Sequence, residues 1–419
     1  MALRQLLVKL NNGFPIIELT VMLYILQYLV APLFEYNYNP EQSMAVGKEE
    51  YLEFTLLAVL AFAVGLFWLK PTFNIKNLTV DNELASKIGR ALIIIGFSSQ
   101  LAMNFLPDAL KSTVNFFILF KTIGVYALIF SDNKSDKLLI LLFSIQIALS
   151  SILGAMLIDF IVFALFFAMF FSLKYQVTNK LKYTFFIIGF LFLSVYQGIK
   201  AEYREVVWKE ELTTEQKVAL LGSLINLESF KSAFSFDVEK NESLIQTMHR
   251  LNQGWQTSKV YNHIPEHVPF ENGKALANDV ISSFMPRFLW EDKREVNDYQ
   301  RFNYYTGYNL NESTSMSMGV IGDFYLNFGK TGTVIAMFLF GYFIARVKRY
   351  FLQNFVYPNP INLIWLPFIF SYLIRPGNEF YMVLNHLFKA TVVLIVVFKV
   401  IYPWLGVSNQ AKTDESFAE

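Results

Sequence analysis

Apolar residues fall into blocks of bilayer length separated by shorter polar stretches. Ten segments are predicted to be membrane helices: 14–34, 52–69, 88–106, 112–130, 138–153, 156–173, 183–200, 319–345, 361–377 and 383–404. A crossing needs about 20 mostly apolar residues. The first block begins after Arg4 and Lys9, is too long for the apolar region of a secretion signal, and has no small-residue cleavage site after it. It is therefore expected to be retained. The stretch 138–173 is about twice one span and must turn, with Ser150, Ser151 and Gly154 as turn residues. Segment 319–345 exceeds one straight span. Its more polar beginning, GVIGDFYLNFGKTG, is expected at the interface, leading into a helix near Lys330.

The polar remainder is concentrated in one segment, 201–318, long enough to be a small domain. Helices are predicted over 213–235 and 242–256, the second carrying Leu244, Ile245, Met248, Leu251 and Trp255 on one stripe at helical spacing. Pro, Gly and Asn residues over 262–273 predict a loop, and 274–285 can form a third helix. The run from Glu291 to Met318 reads as irregular. The organisation is thus membrane helices over 1–200, a large loop over 201–318, further membrane helices over 319–404 and a tail over 405–419. The fold class is an all-α polytopic membrane protein with about ten transmembrane helices and one large, mainly helical loop.

Composition agrees with this partition. Hydrophobic residues make up 54% and charged residues 16%, the latter against roughly 25% in soluble domains. Such a chain is neither disordered nor an ordinary soluble enzyme, because one core of this size cannot hide that much apolar surface. A net charge of +1 argues against a nucleic-acid partner. The absence of Cys excludes disulfides and thiolate chemistry. Basic residues are distributed asymmetrically. With the N-terminus inside, the inner segments hold sixteen Lys/Arg, whereas the short outer loops hold Lys48, Lys111 and Arg375. By the positive-inside rule both termini are cytoplasmic and the large loop faces outward. Counted from Lys200, that loop carries thirteen Lys/Arg against seventeen Asp/Glu.

No soluble-enzyme motif is present: there is no P-loop, GxGxxG, HExxH or GxSxG, and no Asp-x-Asp pair. His263 and His267 share a spacing of four, but Pro265 between them spoils a helix, so no metal or other cofactor is expected. The stretch 285–329 stands apart. It reads MPRFLWEDKREVNDYQRFNYYTGYNLNESTSMSMGVIGDFYLNFG and includes a PR-x-LW-x-DK segment followed by a GDFYLNFG segment that opens a helix. Together with His249–Arg250 upstream and LIRPGN at 373–378, this resembles the bacterial O-antigen and capsule repeat-unit polymerases (Wzy-type). A long outer loop late in a ten-helix chain fits the same family. One departure is local: relatives often carry an arginine in the tight outer hairpin before the sixth helix, where this chain has SSILGAMLID.

The resemblance implies a fold of the C-type glycosyltransferase superfamily in the bacterial cytoplasmic membrane, with its active face extracytoplasmic. It implies transfer of a growing glycan from undecaprenyl diphosphate onto a new lipid-linked repeat unit. The partners would be that lipid-linked oligosaccharide, membrane lipid and, as in relatives, a chain-length regulator. The chemistry needs cations for an anionic diphosphate leaving group, and guanidinium binds phosphate bidentately while staying charged. The candidates are Arg250, Arg287, Arg301 and Arg375, with Lys293 as a lesser one; Glu379 is the nearest potential partner of Arg375. A sugar-hydroxyl acceptor benefits from a general base. His249, Asp323 and the acidic group Glu35, Glu41, Glu49 and Glu50 are the candidates, Asp323 serving equally to favour a helix N-terminus. Tyr299, Tyr304, Tyr305 and Tyr308 could offer sugar-stacking surfaces. Lys121 and Asp159 are ionisable residues inside apolar blocks, functional candidates or a structural pair. A ligase passing glycan to a lipid core, a flippase and a structural membrane subunit are the competing readings.

Overall fold

The computed structural model describes residue 6 and residues 9–38, 44–69, 79–154, 157–210, 212–225, 241–285, 290, 294, 298–312, 314 and 316–407. Among them all regular structure is helical. Seven helices are long and apolar enough to cross a membrane: Ile16–Tyr38, Lys48–Phe67, Asn82–Phe105, Lys134–Leu153, Ile158–Tyr175, Gly319–Val356 and Phe380–Trp404. We label Ile16–Tyr38 as α1, Lys48–Phe67 as α2 and Asn82–Ala102 as α3. The helix α1 widens into a π-turn over Leu26–Val30. Pro32 explains this, because its ring excludes the carbonyl four residues back and the ladder must slip by one.

Three of the ten predicted spans differ in form. Residues 112–130 are divided between α4 (Asp108–Ile118) and α5 (Phe120–Leu128). The block 183–200 lies inside a 31-residue helix, α8 (Asn179–Lys209), which runs on through the expected boundary at residue 200. The block 361–377 is a 3-10 turn, Pro360–Trp365, followed by the short α15 (Leu366–Phe370), with every residue from Ile361 to Phe370 buried. Two prolines, Pro360 and Pro367, keep this stretch from forming a long ladder. It is apolar because it belongs to the protein core. The doubled block 138–173 does divide into two helices, α6 (Lys134–Leu153), which ends on Gly154, and α7 (Ile158–Tyr175); Ser150 and Ser151, expected in the turn, belong to the last turn of α6 instead.

Within the large segment, α9 (Thr214–Leu224) opens with a capping box on Thr213 and Gln216. The expected single helix 242–256 is two helices, α10 (Glu242–Leu251) and α11 (Gly254–His263). Asn252 separates them, its side chain accepting the Trp255 N–H at 3.0 Å, which satisfies a free donor of the new helix start. The third expected helix is α12 (Lys274–Phe284). The run expected to be irregular contains α13 (Tyr299–Thr306), capped by Asp298 through the Gln300 and Arg301 N–H groups.

The long helix α14 (Gly319–Phe351) is broken at Gly329, where φ is 66° and ψ −168°. Only glycine takes this conformation readily, so the polar GDFYLNF turn and the apolar half beginning at Lys330 are separate ladders. The apolar half packs on α2 through glycines. A Cβ at Gly65 would lie 2.2 Å from the Phe338 carbonyl oxygen, and one at Gly341 2.4 Å from that of Phe62. Small residues let membrane helices approach at backbone distance. The last helix, α16 (Phe380–Val396), continues through a π-turn to Trp404.

Candidate functional site

Two groups of charged side chains converge where the large segment meets the helix ends. The first forms around α10, which packs on α8 and on the C-terminal end of α1. His249 Nδ1 lies 3.2 Å from Oε1 of the buried Glu35. With that proton directed to the carboxylate, Nε2 is left to accept one. Arg250 follows on the same helix. Lys200 and Arg204, one turn apart on α8, lie within electrostatic reach of Arg250. Burial and, after it, the Arg250 charge draw the Arg204 guanidinium below its usual value. Arg204 stacks over Trp208 at 3.5 Å. Among the described residues, none of these three cations forms an ion pair with a carboxylate.

The α6–α7 hairpin ties this group to the LIRPGN turn. Tyr196 and Tyr203 of α8 donate to the carbonyls of Ile152 and Leu153 at 3.1 and 3.3 Å. On the other side, Arg375 Nη2 donates to Asp159 Oδ1 at 3.0 Å. The turn is held in place by Tyr28, whose hydroxyl donates to the Pro376 carbonyl at 2.7 Å, and by Gly377, which lies against the Gln253 side chain. Gln253 in turn donates its N–H to the Gln27 carbonyl at 3.0 Å. The hairpin that lacks the expected arginine thus presents an aspartate, and that aspartate holds an arginine from elsewhere.

The second group is a buried network. Arg294 bridges Asp279 of α12 and Glu379. Arg301 donates to Asp323 at 2.8 Å and lies 4.0 Å from Asp279. Glu379 accepts the Met318 N–H at 3.2 Å at the head of α14, while Asp323 on α14 accepts the Phe380 N–H at 2.9 Å at the head of α16. Each carboxylate caps the opposing helix, where the positive end of the helix dipole favours it. Burial opposes charging of both guanidiniums, but the three carboxylates hold them above their usual value. Two arginines and three carboxylates leave one negative charge in surplus. Burial, then Asp323, pushes the Glu379 carboxyl up to about 7.

A carboxyl raised in the folded state contributes stability that is complete below its unfolded value near 4.5 and is lost as pH rises through 7. The span corresponds to about 3 kcal/mol. Thermal unfolding in detergent should therefore show stability falling from about pH 5 to pH 8, and Glu379→Gln should flatten the profile. A wild-type profile with no downward slope there would contradict the assignment.

Several expectations are corrected by this geometry. Glu379 is taken by Arg294, so Arg375 pairs with Asp159 instead. Lys121 and Asp159 do not pair with each other, since Lys121 donates to Gln100 of α3. Arg301 is mostly buried and spends its guanidinium on carboxylates, and Asp323 is wholly buried with both oxygens occupied. Tyr305 is buried with its hydroxyl on Glu271 at 2.8 Å, leaving no free face for a sugar. Tyr299 bonds Glu312 at 3.2 Å, whereas Tyr304 and Tyr308 are exposed. Of the acidic candidates, Glu50 bonds Tyr261 and pairs with Lys330 at 3.5 Å. Arg287, Lys293 and Glu41 lie outside the described residues. His263 and His267 stack with ring centroids 4.7 Å apart, and no group of three or more His, Asp or Glu is placed to hold a metal among the described residues. Lys200, Arg204, Asp279 and Arg294 were not singled out by the sequence. The one available signal was the spacing of four between Lys200 and Arg204 beyond an apolar block.

The architecture defines an all-helical protein with several helices of membrane-crossing length and a charged junction at their ends. The chain belongs to a family described as a domain of unknown function, DUF8712, which it matches over residues 19–404. No curated protein and no solved structure matches it.

Proposed function

We propose that this protein is a membrane glycosyltransferase that polymerises lipid-diphosphate-linked oligosaccharide repeat units, as its resemblance to the Wzy-type polymerases implies. In this reading the ten apolar segments are spans or buried half-spans of a C-type transferase, and the α10 face is extracytoplasmic. The observation that carries the proposal is the convergence of Lys200, Arg204 and Arg250, unpaired with any described carboxylate, beside the His249–Glu35 pair. Cations held together at the cost of mutual repulsion suit a doubly charged diphosphate. Among the described carboxylates Arg375 pairs with the exposed Asp159, a pair worth about 1 kcal/mol or less, so an incoming phosphate can displace that partner.

The chemistry follows from these roles. The acceptor hydroxyl attacks the anomeric carbon of the growing glycan, the bond from that carbon to the diphosphate oxygen breaks, and the lipid diphosphate leaves with the electron pair. His249 Nε2 takes the hydroxyl proton, and Glu35 stabilises the resulting imidazolium. Arg204, Arg250 and Lys200 stabilise the negative charge that grows on the leaving group. The buried Arg294–Arg301 network fixes the large segment on α14 and α16 and takes no direct part. Tyr304 and Tyr308 remain as the exposed sugar-facing aromatics.

Deleting the gene should leave surface glycan one repeat unit long, read as a collapsed ladder on a polysaccharide gel. An unchanged ladder would sink the polymerase reading. Loss of all attached glycan would instead indicate a ligase or a flippase.

A further inference from the structure

The helix α12 (Lys274–Phe284) is turned inside out for a helix in water. Its covered face is polar: Asp279, Ser282 and Ser283 are buried. Asp279 is held by Arg294, and Ser283 Oγ donates to the Asp279 carbonyl at 2.8 Å. Its open face follows helical spacing through Lys274, Ala277 and Asn278, Ile281, and Phe284 with Met285. That face begins polar and ends apolar. Ile281 is 54% exposed, Phe284 50% and Met285 41%. A solvated helix would show the reverse arrangement.

The neighbour explains the gradient. The helix α12 packs along α16, and Phe284 meets Phe388 edge to face with ring centroids 4.8 Å apart. Phe388 is eight residues beyond the start of α16, about 12 Å down its axis. Below Phe388 the open stripe of α16 continues through Val392, Ile395, Val396 and Val400, at the spacing of one helix face. At its other end α12 is held beside the break in α14, where the Leu276 N–H donates to Asn327 Oδ1 at 3.3 Å. That break is where the apolar half of α14 begins.

We infer that α12 does not belong to a water-exposed domain. It descends from the interface at Lys274 into the bilayer, and Ile281 and Phe284 contact lipid acyl chains. The occupant is lipid because the open patch is continuous with the acyl-facing stripe of a membrane-length helix. The inference rests on the membrane reading of α16 and is independent of the proposed chemistry.

The chain has no cysteine, so single cysteines report cleanly. Lys274→Cys, Ile281→Cys, Phe284→Cys and the reference Ile395→Cys each receive a bimane fluorophore. The full-length variants are then placed in phosphatidylcholine vesicles with or without brominated acyl chains. Emission at 281 and 284 should be quenched by the brominated lipid as strongly as at 395, with 274 spared. Quenching at 395 but not at 281 and 284 would overturn the inference, and protection there without quenching would assign the face to protein. No quenching at 395 would remove its premise. All four positions are on open faces, and Lys274→Cys and Ile395→Cys serve as folding controls in the same preparation.

Discussion

Arg250→Ala is expected to reduce the surface glycan to single repeat units while the protein still inserts into the membrane. Arg250 shares its position with Lys200 and Arg204 and lies beside the His249–Glu35 pair. If these cations stabilise the departing diphosphate, losing one charge-assisted donor should slow transfer by about 10²–10³-fold. Membrane abundance is expected to stay near wild type, because truncation relieves repulsion on Lys200 and Arg204 and breaks no described ion pair. Arg250→Lys keeps the charge but not the bidentate geometry and should shorten the ladder without collapsing it. A wild-type ladder in Arg250→Ala, with the protein present, would remove this cluster from catalysis. Arg375→Ala is the informative comparison. Its loss should also impair polymerisation, yet with little effect on folding, since its partner Asp159 is 70% exposed.

Arg294→Ala is expected to have the largest effect on stability. The Arg294 side chain is only 6% exposed and bridges two carboxylates that are themselves buried. Its removal leaves Asp279 and Glu379 facing Asp323 with one guanidinium among the three. Breaking a buried pair in this way costs about 3–5 kcal/mol. The readout is the midpoint of thermal unfolding in detergent, together with the amount of folded protein recovered from membranes. A midpoint within experimental error of wild type would show that the network is not what holds the large segment on α14 and α16. The two substitutions separate two roles of arginine here: Arg250→Ala should spare the fold and stop the reaction, and Arg294→Ala should do its damage through the fold.

The legible part of this protein is the part that depends on local sequence. The apolar blocks became helices, the 138–173 stretch divided into two of them, and the GDFYLNFGKTG segment became a ladder interrupted at Gly329 before Lys330. These outcomes follow from properties summed along one stretch of chain: transfer of apolar side chains, the φ that only glycine takes readily, and the donor that proline lacks. The same logic misread 361–377, because a block buried in protein and a block facing lipid have the same composition.

The charged junction was legible only as a set of candidate residue types. Arginines were expected near the end of the large segment, but adjacent residues have different fates that no spacing reveals. Arg294 enters the core between Asp279 and Glu379, and Arg301 joins Asp323 instead of facing a ligand. Arg375 reaches Asp159, 216 positions away, in place of Glu379 four residues on. Sequence alone determined that this chain partitions into helices of membrane length with a polar segment between them, because partition is a sum over neighbours in the chain. Tertiary structure decided which charges are spent on one another and which are left open, because Coulombic pairing depends on distance and burial, and these residues meet only once the helices have packed.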